Sequence, residues 1–253
     1  MIFQIYTLTT GAVKTKRMRV FAGPNGSGKS TLVNQFIKEK NKLINPDCHI
    51  NPDDLNLINV LDFNKFKLKV NEIDFRDFIY RSPFYKYCNT DIENIKVENN
   101  CFIVPNKNSY MGAMLADYLR HCYINSEENL FSFETVFSHP SKVEFLKEAK
   151  DRGWSVYLYF VSTSDSEINC GRVEERVLKG EHFVPPNKIK ERFIPSLENL
   201  FPALQHCRRV YIFDNSKNDM ELIAEKQLDN SLRLSKKEYI PAWVEEYVLS
   251  KMK

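Results

Sequence analysis

Residues Gly23-Pro24-Asn25-Gly26-Ser27-Gly28-Lys29-Ser30-Thr31 carry the densest chemistry in this chain. The run satisfies G-x-x-x-x-G-K-[ST], with Gly23, Gly28, Lys29 and Ser30 in the fixed places. Glycines let a backbone curl so that its N–H groups face an anion, and a helix beginning there adds partial positive charge. Asn25, Gly26, Ser27 and Thr31 complete the cradle. Lys29 is placed to reach the β- and γ-phosphates of a nucleoside triphosphate, and the Ser30 hydroxyl to hold Mg²⁺. The pattern predicts a triphosphate site, with ATP the expected nucleotide and GTP the alternative. It does not say what the triphosphate is used for.

Further candidates are acidic and basic residues at the ends of predicted strands and along one helix. Phosphoryl transfer needs an acceptor held in line, a base for its proton and positive charge on the phosphates. In a parallel sheet such groups gather beyond the carboxyl ends of the strands. Asp53 with Asp54, Glu134 with Thr135, and Asp214 occupy such ends. Ile44-Asn45-Pro46-Asp47 and Ile50-Asn51-Pro52-Asp53 are the same tetrapeptide six residues apart. Only Asp53 follows its short strand, so it is the one expected to face the crevice, with a turn or cap role as the less favoured alternative. Asp214 comes late in the sheet and is not assigned a role. Arg172 and Arg176 share a helix face and Arg192 follows on the next helix. They can supply transition-state charge, or pair with Glu174, Glu175 and Glu191 on a solvated face.

The elements that must position these groups can be read from periodicity. A buried strand (about 17–22) precedes the glycine-rich loop, and Leu32, Val33, Phe36 and Ile37 follow at helical spacing. A brief strand at 48–50 leads to the Asn-Pro-Asp-Asp turn. After about residue 108 strands and helices alternate, with strands at 129–135, 156–161 and 210–213, the last of the sheet. Ser141 is the expected N-cap of one helix, Pro185-Pro186 opens a long one running to about Leu204, and another follows Pro241. Residues 1–16 are expected to form a short strand or arm. This order predicts an α/β, three-layer fold with a mainly parallel sheet, a single domain over 1–253. Residues 61–107 break the alternation and read as an insertion. Ile95–Val97 and Cys101–Val104 around Asn99-Asn100 predict a β-hairpin within it. Its interleaved aromatics and lysines suit either stacking on single-stranded nucleic acid or a small subdomain packing its own core, and the second is preferred.

Composition narrows the classes. The chain has 253 residues, 43% hydrophobic and 27% charged, with a net charge of +3, too small to argue for a nucleic-acid partner. No apolar run approaches the ~18 residues of a membrane span. The basic residues Lys14, Lys16 and Arg17 follow the mildly apolar N-terminus rather than precede it, the reverse of a secretory signal. Six scattered cysteines without a C-x-x-C pair suit reduced thiols and a cytoplasmic setting.

Taken in order, these motifs resemble the zeta toxin family, in the branch described as predicted ATPases. The matching elements are residues 23–31, Asn51-Pro52-Asp53-Asp54, Phe133-Glu134-Thr135, then Asn169, Arg172, Arg176, Gly180, His182, Val184, Pro185 and Arg192, and finally Asp214-Asn215-Ser216. The resemblance covers roughly residues 17–59 and 108–250. It departs at Glu181, where a glycine is usual, and at Val136, where a second threonine is common. It implies a nucleotide-kinase-like fold and ATP·Mg²⁺-dependent phosphorylation of a hydroxyl of UDP-N-acetylglucosamine or a related metabolite. By the same resemblance Asp53 is the proton acceptor, and Lys29 and Ser30 bind phosphate and metal. Glu134, with Thr135 and Asp54, contacts substrate or metal, Arg172, Arg176 and Arg192 clamp phosphates, and an antitoxin protein is a partner. Two other readings stay open: a nucleotide-gated binding protein whose insertion is the partner surface, and a kinase acting on nucleic-acid ends.

Overall fold

The computed structural model describes residues 15–39, 43–180, 183–235 and 239–252. The arm expected over 1–16 lies almost wholly outside them, as do Glu181 and His182. In chain order the main elements are β1 (Arg17–Ala22), α1 (Lys29–Lys38), β2 (His49–Ile50), α2 (Pro52–Leu55), β3 (Val60–Asp62), α3 (Glu72–Arg81), β4 (Val97–Glu98), β5 (Cys101–Ile103) and α4 (Ser109–Asn125). There follow β6 (Leu130–Thr135), α5 (Ser141–Asp151), β7 (Ser155–Ser162), α6 (Ser166–Leu178), α7 (Pro186–Glu198), α8 (Leu200–Leu204), β8 (Arg209–Asp214), β9 (Glu221–Lys226), β10 (Leu232–Leu234) and α9 (Ala242–Tyr247).

Apolar β1 is buried along almost its whole length and sits between β6 and β7, pairing in parallel with both. The main sheet runs β10-β9-β8-β7-β1-β6-β2. Its β8 to β2 part is parallel, and β9 and β10 are antiparallel at one edge. Side chains alternate across each strand. Met18, Val20 and Ala22 therefore join one core with α4, α5, α7, α8 and α9, while Phe21 joins another with Leu32 and Val33 of α1. The result is the three-layer α/β fold with a mainly parallel sheet that the alternation predicts. Because every parallel strand points the same way, the ends of β1, β6, β7 and β8 meet at one crevice.

Three expectations need correction. Val210–Phe213 is not the last of the sheet, since β9 and β10 follow it. Glu221, Glu225 and Lys226 dilute the apolar signal of β9, although it lies between β8 and β10 and Lys226 is buried. The long helix after Pro185 is broken at Asn199, because Pro202 has no N–H to offer the Glu198 carbonyl. Ser141 does not cap α5. Instead the His139 imidazole accepts from the Ser141 amide at 3.2 Å and lies 2.9 Å from its hydroxyl.

The 61–107 segment forms, with Val60, a second sheet of order β3-β5-β4. Its hairpin turns at Asn99 and Asn100, both left-handed (φ 51° and 61°), as a two-residue turn between twisted strands requires. Its aromatics do not pack on one another alone. Phe63, Phe75 and Phe78 surround Tyr118 of α4 at 4.7–6.0 Å, and the buried rings are continuous with the main core. Tyr87 stacks on Tyr110 of α4 at 4.7 Å.

Candidate active site

The glycine-rich loop joins β1 to α1 and is held by what surrounds it. A side chain at Gly23 (φ 139°) would run into the Val161 carbonyl of β7, so only glycine fits the turn. Gly28 is the N-cap of α1, left-handed at φ 106° and without a side chain to satisfy the first-turn amides. Those unpaired N–H groups are what an anion at a helix start requires. The Asn215 side chain, just past β8, donates to the Ser27 carbonyl at 2.8 Å and braces the loop from the other side.

Lys29 folds back on its loop, donating to the Gly23 and Pro24 carbonyls at 2.9 and 2.8 Å. Burial lowers its pKa to about 8, against the opposing pull of Glu134 and Asp53. Ser30 donates to Glu134 Oε2 at 2.7 Å. Glu134 sits near the end of β6 and is 5% exposed. Burial alone would raise its pKa, but hydrogen bonds from His49 and Ser30 and the charge of Lys29 outweigh that and hold it below the usual carboxylate range. The Ser30 hydroxyl and the Glu134 carboxylate therefore present two hard oxygen donors side by side, a set that suits Mg²⁺.

Asp53 arrives from the opposite wall. Asn51 caps α2, its side chain accepting from the Asp53 amide at 3.0 Å, with Pro52 at the first helical position. Asn45 does the same for Asp47 at 3.2 Å, so the repeated tetrapeptide is a repeated cap. The cap is asparagine in both cases, which leaves the Asp53 carboxylate to the cavity. Helix α2 packs against α4 through Gly112, where a Cβ would collide with Asn56 and come within 2.7 Å of the Pro52 carbonyl. Asp54 stands beside it, its pKa raised by desolvation and then by the charge of Glu134.

One cavity of about 450 Å³ is lined by Asn25, Gly26, Gly28, Lys29, Ser30, Thr31, Asp53, Glu134, Thr135, Arg172 and Arg176. It thus gathers most of the residues singled out by sequence. Gly23, Ser27 and Asp54 lie next to it without lining it, and Arg192 of α7 does not line it. Arg172 donates to the Lys217 carbonyl at 3.3 Å and keeps a buried Nη1 with no partner. Asp214 is taken up elsewhere, accepting from Ser216 and from the Trp243 indole at 2.7 Å. The loop after Thr135 is pinned where it leaves the cavity. Buried Phe137 is left-handed (φ 66°), with Ser196 and Asn199 donating to the Val136 and Phe137 carbonyls.

Asn34 lines the cavity and was not singled out by sequence, while Asn51, Glu175 and Asn215, named there only as motif neighbours or as an ion-pair partner for the arginines, line it too. His49 was read as a strand residue and, beside Cys48, as a disfavoured metal ligand; it contacts Glu134 from β2. Its signal was its place two residues before Asn51, on a strand destined to pair with the one ending at Glu134. All six cysteines are free. Among the described residues no helix is long and apolar enough to cross a membrane.

No family model matches the chain. A 63-residue stretch, 25% of this chain, is 33% identical to an uncharacterized protein of Haemophilus influenzae and covers 45% of it. Among solved structures, the AvrRxo1-ORF1:AvrRxo1-ORF2 complex with sulphate ions matches with a TM-score of 0.56 at 12% identity. The same pair with ATP matches with a TM-score of 0.54 at 13% identity. Both alignments cover 88% of this chain, and this chain spans 62% of the matched one. The PezAT toxin–antitoxin system of Streptococcus pneumoniae aligns with a TM-score of 0.47 at 14% identity, over 96% of this chain and 82% of that one. At such identities the first two share a fold with this chain, a mixed α/β architecture around a mainly parallel sheet.

Proposed function

We propose that the protein is an ATP-dependent phosphotransferase of the zeta toxin type, acting on a hydroxyl of a nucleotide sugar such as UDP-N-acetylglucosamine or of a related metabolite. The observation that carries this reading is the convergence, in one cavity, of Lys29 and Ser30 at the start of α1, Glu134 behind them and Asp53 facing them. A binding protein needs only the first group. A carboxylate held across the cavity is what transfer to a hydroxyl adds. The AvrRxo1-ORF1:-ORF2 complex with ATP, which shares the fold, supports ATP as the donor.

In this reading the loop amides and Lys29 bind the β- and γ-phosphates. Lys29 exchanges its two carbonyl partners for phosphate oxygens. Ser30 and Glu134 would hold Mg²⁺, which when bound would supply positive charge beside the phosphates. Arg172 and Arg176, from α6, face the same space and stabilise charge that builds during transfer. The acceptor hydroxyl oxygen attacks the γ-phosphorus, the bond to the ADP oxygen breaks, and the hydroxyl proton passes to Asp53. An antitoxin protein that blocks this cavity remains part of the proposal.

The test is incubation with ATP and Mg²⁺ plus UDP-N-acetylglucosamine or a metabolite extract, followed by mass spectrometry. A metabolite heavier by one phosphoryl group, absent with Lys29→Ala, supports the reading. ATP turnover to ADP with no phosphorylated metabolite would favour the nucleotide-gated binding protein instead. The exposed apolar residues Ile73, Tyr80 and Ile103 of the 61–107 segment favour that second reading. Their replacement by serine should then abolish capture of a partner and leave ATP binding intact.

A further inference from the structure

His49 belongs to no part of the proposed reaction, yet its ring is held more closely than a strand residue at a sheet edge needs. Strand β2 pairs with β6 so that His49 lies opposite Ser132 and Ile50 opposite Phe133. Side chains alternate along a strand, so His49, Ser132 and Glu134 share one face. Nδ1 of His49 lies 2.8 Å from the Ser132 hydroxyl and Nε2 lies 3.4 Å from Glu134 Oε1. The side chain is 10% exposed, and the Phe21 ring stands edge-on to it at 6.2 Å. Ser132 itself is buried.

The partners fix the protons. Glu134 already accepts from Ser30 through Oε2, and as a carboxylate it can only accept. Nε2 must therefore carry the hydrogen that faces Oε1. In a neutral ring Nδ1 is then an acceptor, so the Ser132 hydroxyl donates to it. The chain of donors runs from Ser132 to His49 to Glu134 and ends at the carboxylate that meets Ser30.

We propose that His49 is a positioning residue: by donating to Oε1 it locks the Glu134 carboxylate with Oε2 turned to Ser30, and so preorganises the Mg²⁺ side of the nucleotide site. The inference rests on the reading of that site as one for ATP and Mg²⁺. Partners that orient a ligating group typically cost ~10–100-fold in metal affinity when removed. A freed carboxylate at this place can turn away from the phosphates while the amide cradle, Lys29 and the fold stay as they are.

The test titrates Mg²⁺ against the protein with a non-hydrolysable ATP analogue, and repeats the binding in EDTA. His49→Ala should raise the Mg²⁺ concentration for half-maximal binding by about tenfold, with the affinity in EDTA unchanged. Glutamine places an N–H where Nε2 stands and asparagine does not, so His49→Gln should restore the Mg²⁺ response and His49→Asn should not. Ser132→Ala should shift it by less than His49→Ala. An unchanged Mg²⁺ requirement in His49→Ala overturns the proposal. So does an equal loss in EDTA, or His49→Gln as impaired as His49→Ala. If the wild-type protein itself binds the analogue without any response to Mg²⁺, the reading of the site fails first, and this inference with it.

Discussion

The two walls of the cavity are built in different ways. The donor wall is made of backbone and short contacts: the loop between β1 and α1, Lys29 on two carbonyls, Ser30 on Glu134, and His49 and Asn215 bracing from either side. Its groups are tied by hydrogen bonds to the loop itself or to residues at the ends of adjacent strands. The acceptor wall rests on a single turn of helix. Asp53 sits on α2, which is held by one asparagine cap and by its packing on α4 through Gly112. The 61–107 segment then packs against that same α4. A rigid donor site thus faces an acceptor site whose placement depends on packing farther away. The first should tolerate changes in the second, and the second should be easy to displace without loss of nucleotide binding.

The largest effect that would test this contrast is at Lys29. Lys29→Ala removes charge both from bound ATP and from the transition state, and phosphotransfer should fall by more than about 10³-fold in a single-turnover assay. Next is Asp53→Asn, which should lower kcat by about 10²–10³-fold with the dissociation constant for ATP unchanged. Loss of ATP binding in that variant would mean the two walls are one unit.

Gly112→Ala is the sharpest probe of how the acceptor wall is held. Alanine gains up to about 1 kcal/mol in helix propensity, but the new methyl meets Asn56 and the Pro52 carbonyl. Overpacking of this kind costs about 1–3 kcal/mol, so the net destabilisation is small. A displaced α2 should nonetheless reduce kcat by tenfold or more, because misplacement by ~1 Å can cost 10²-fold. Thermal unfolding and kcat measured together would separate the two effects.

The pH dependence tests the donor wall. Lys29 has a pKa of about 8 in the folded protein and 10.5 when unperturbed, so between those values the unfolded chain holds the extra proton. Folding stability from this residue therefore rises with pH over that window, and the cost of burying the charge is fully present below pH 8. Phosphates favour the protonated amine. Binding of ATP should be proton-neutral at this residue well below pH 8 and should take up a proton above it, with weaker affinity as pH rises. Calorimetry in two buffers of different ionisation enthalpy measures this directly. The smallest effect belongs to Arg192, which does not line the cavity. Arg192→Ala should change ATP affinity and kcat far less than Arg172→Ala.

The donor wall was legible in the sequence because its requirements are local. Glycines at a turn, a lysine and serine at a helix start, and an apolar strand before them all lie within a few residues of each other. Asp53 and Glu134 were legible as strand-end carboxylates, and the ends of parallel strands converge by topology. Arg192 was named only as following on the next helix, and chain order does not show which way a helix face turns; the structure leaves it out of the cavity lining. His49 was hidden for the opposite reason: its role comes from the pairing of β2 with β6, 83 residues apart at Ser132. Strands β9 and β10 were missed because β9 has only a three-residue apolar run flanked by charges and β10 is only three residues long. The aromatics of 61–107 looked like a separate feature until the structure placed Phe63, Phe75 and Phe78 around Tyr118.

The most direct measurement is the fate of the γ-phosphate. Wild-type protein and Asp53→Asn would each be given Mg²⁺, ATP and UDP-N-acetylglucosamine or a metabolite extract, and the products resolved by mass spectrometry. The account predicts a phosphorylated metabolite in step with ADP for the wild type, and intact ATP binding with almost no such product for Asp53→Asn. ADP and free phosphate as the sole products, formed equally by both proteins, would contradict it.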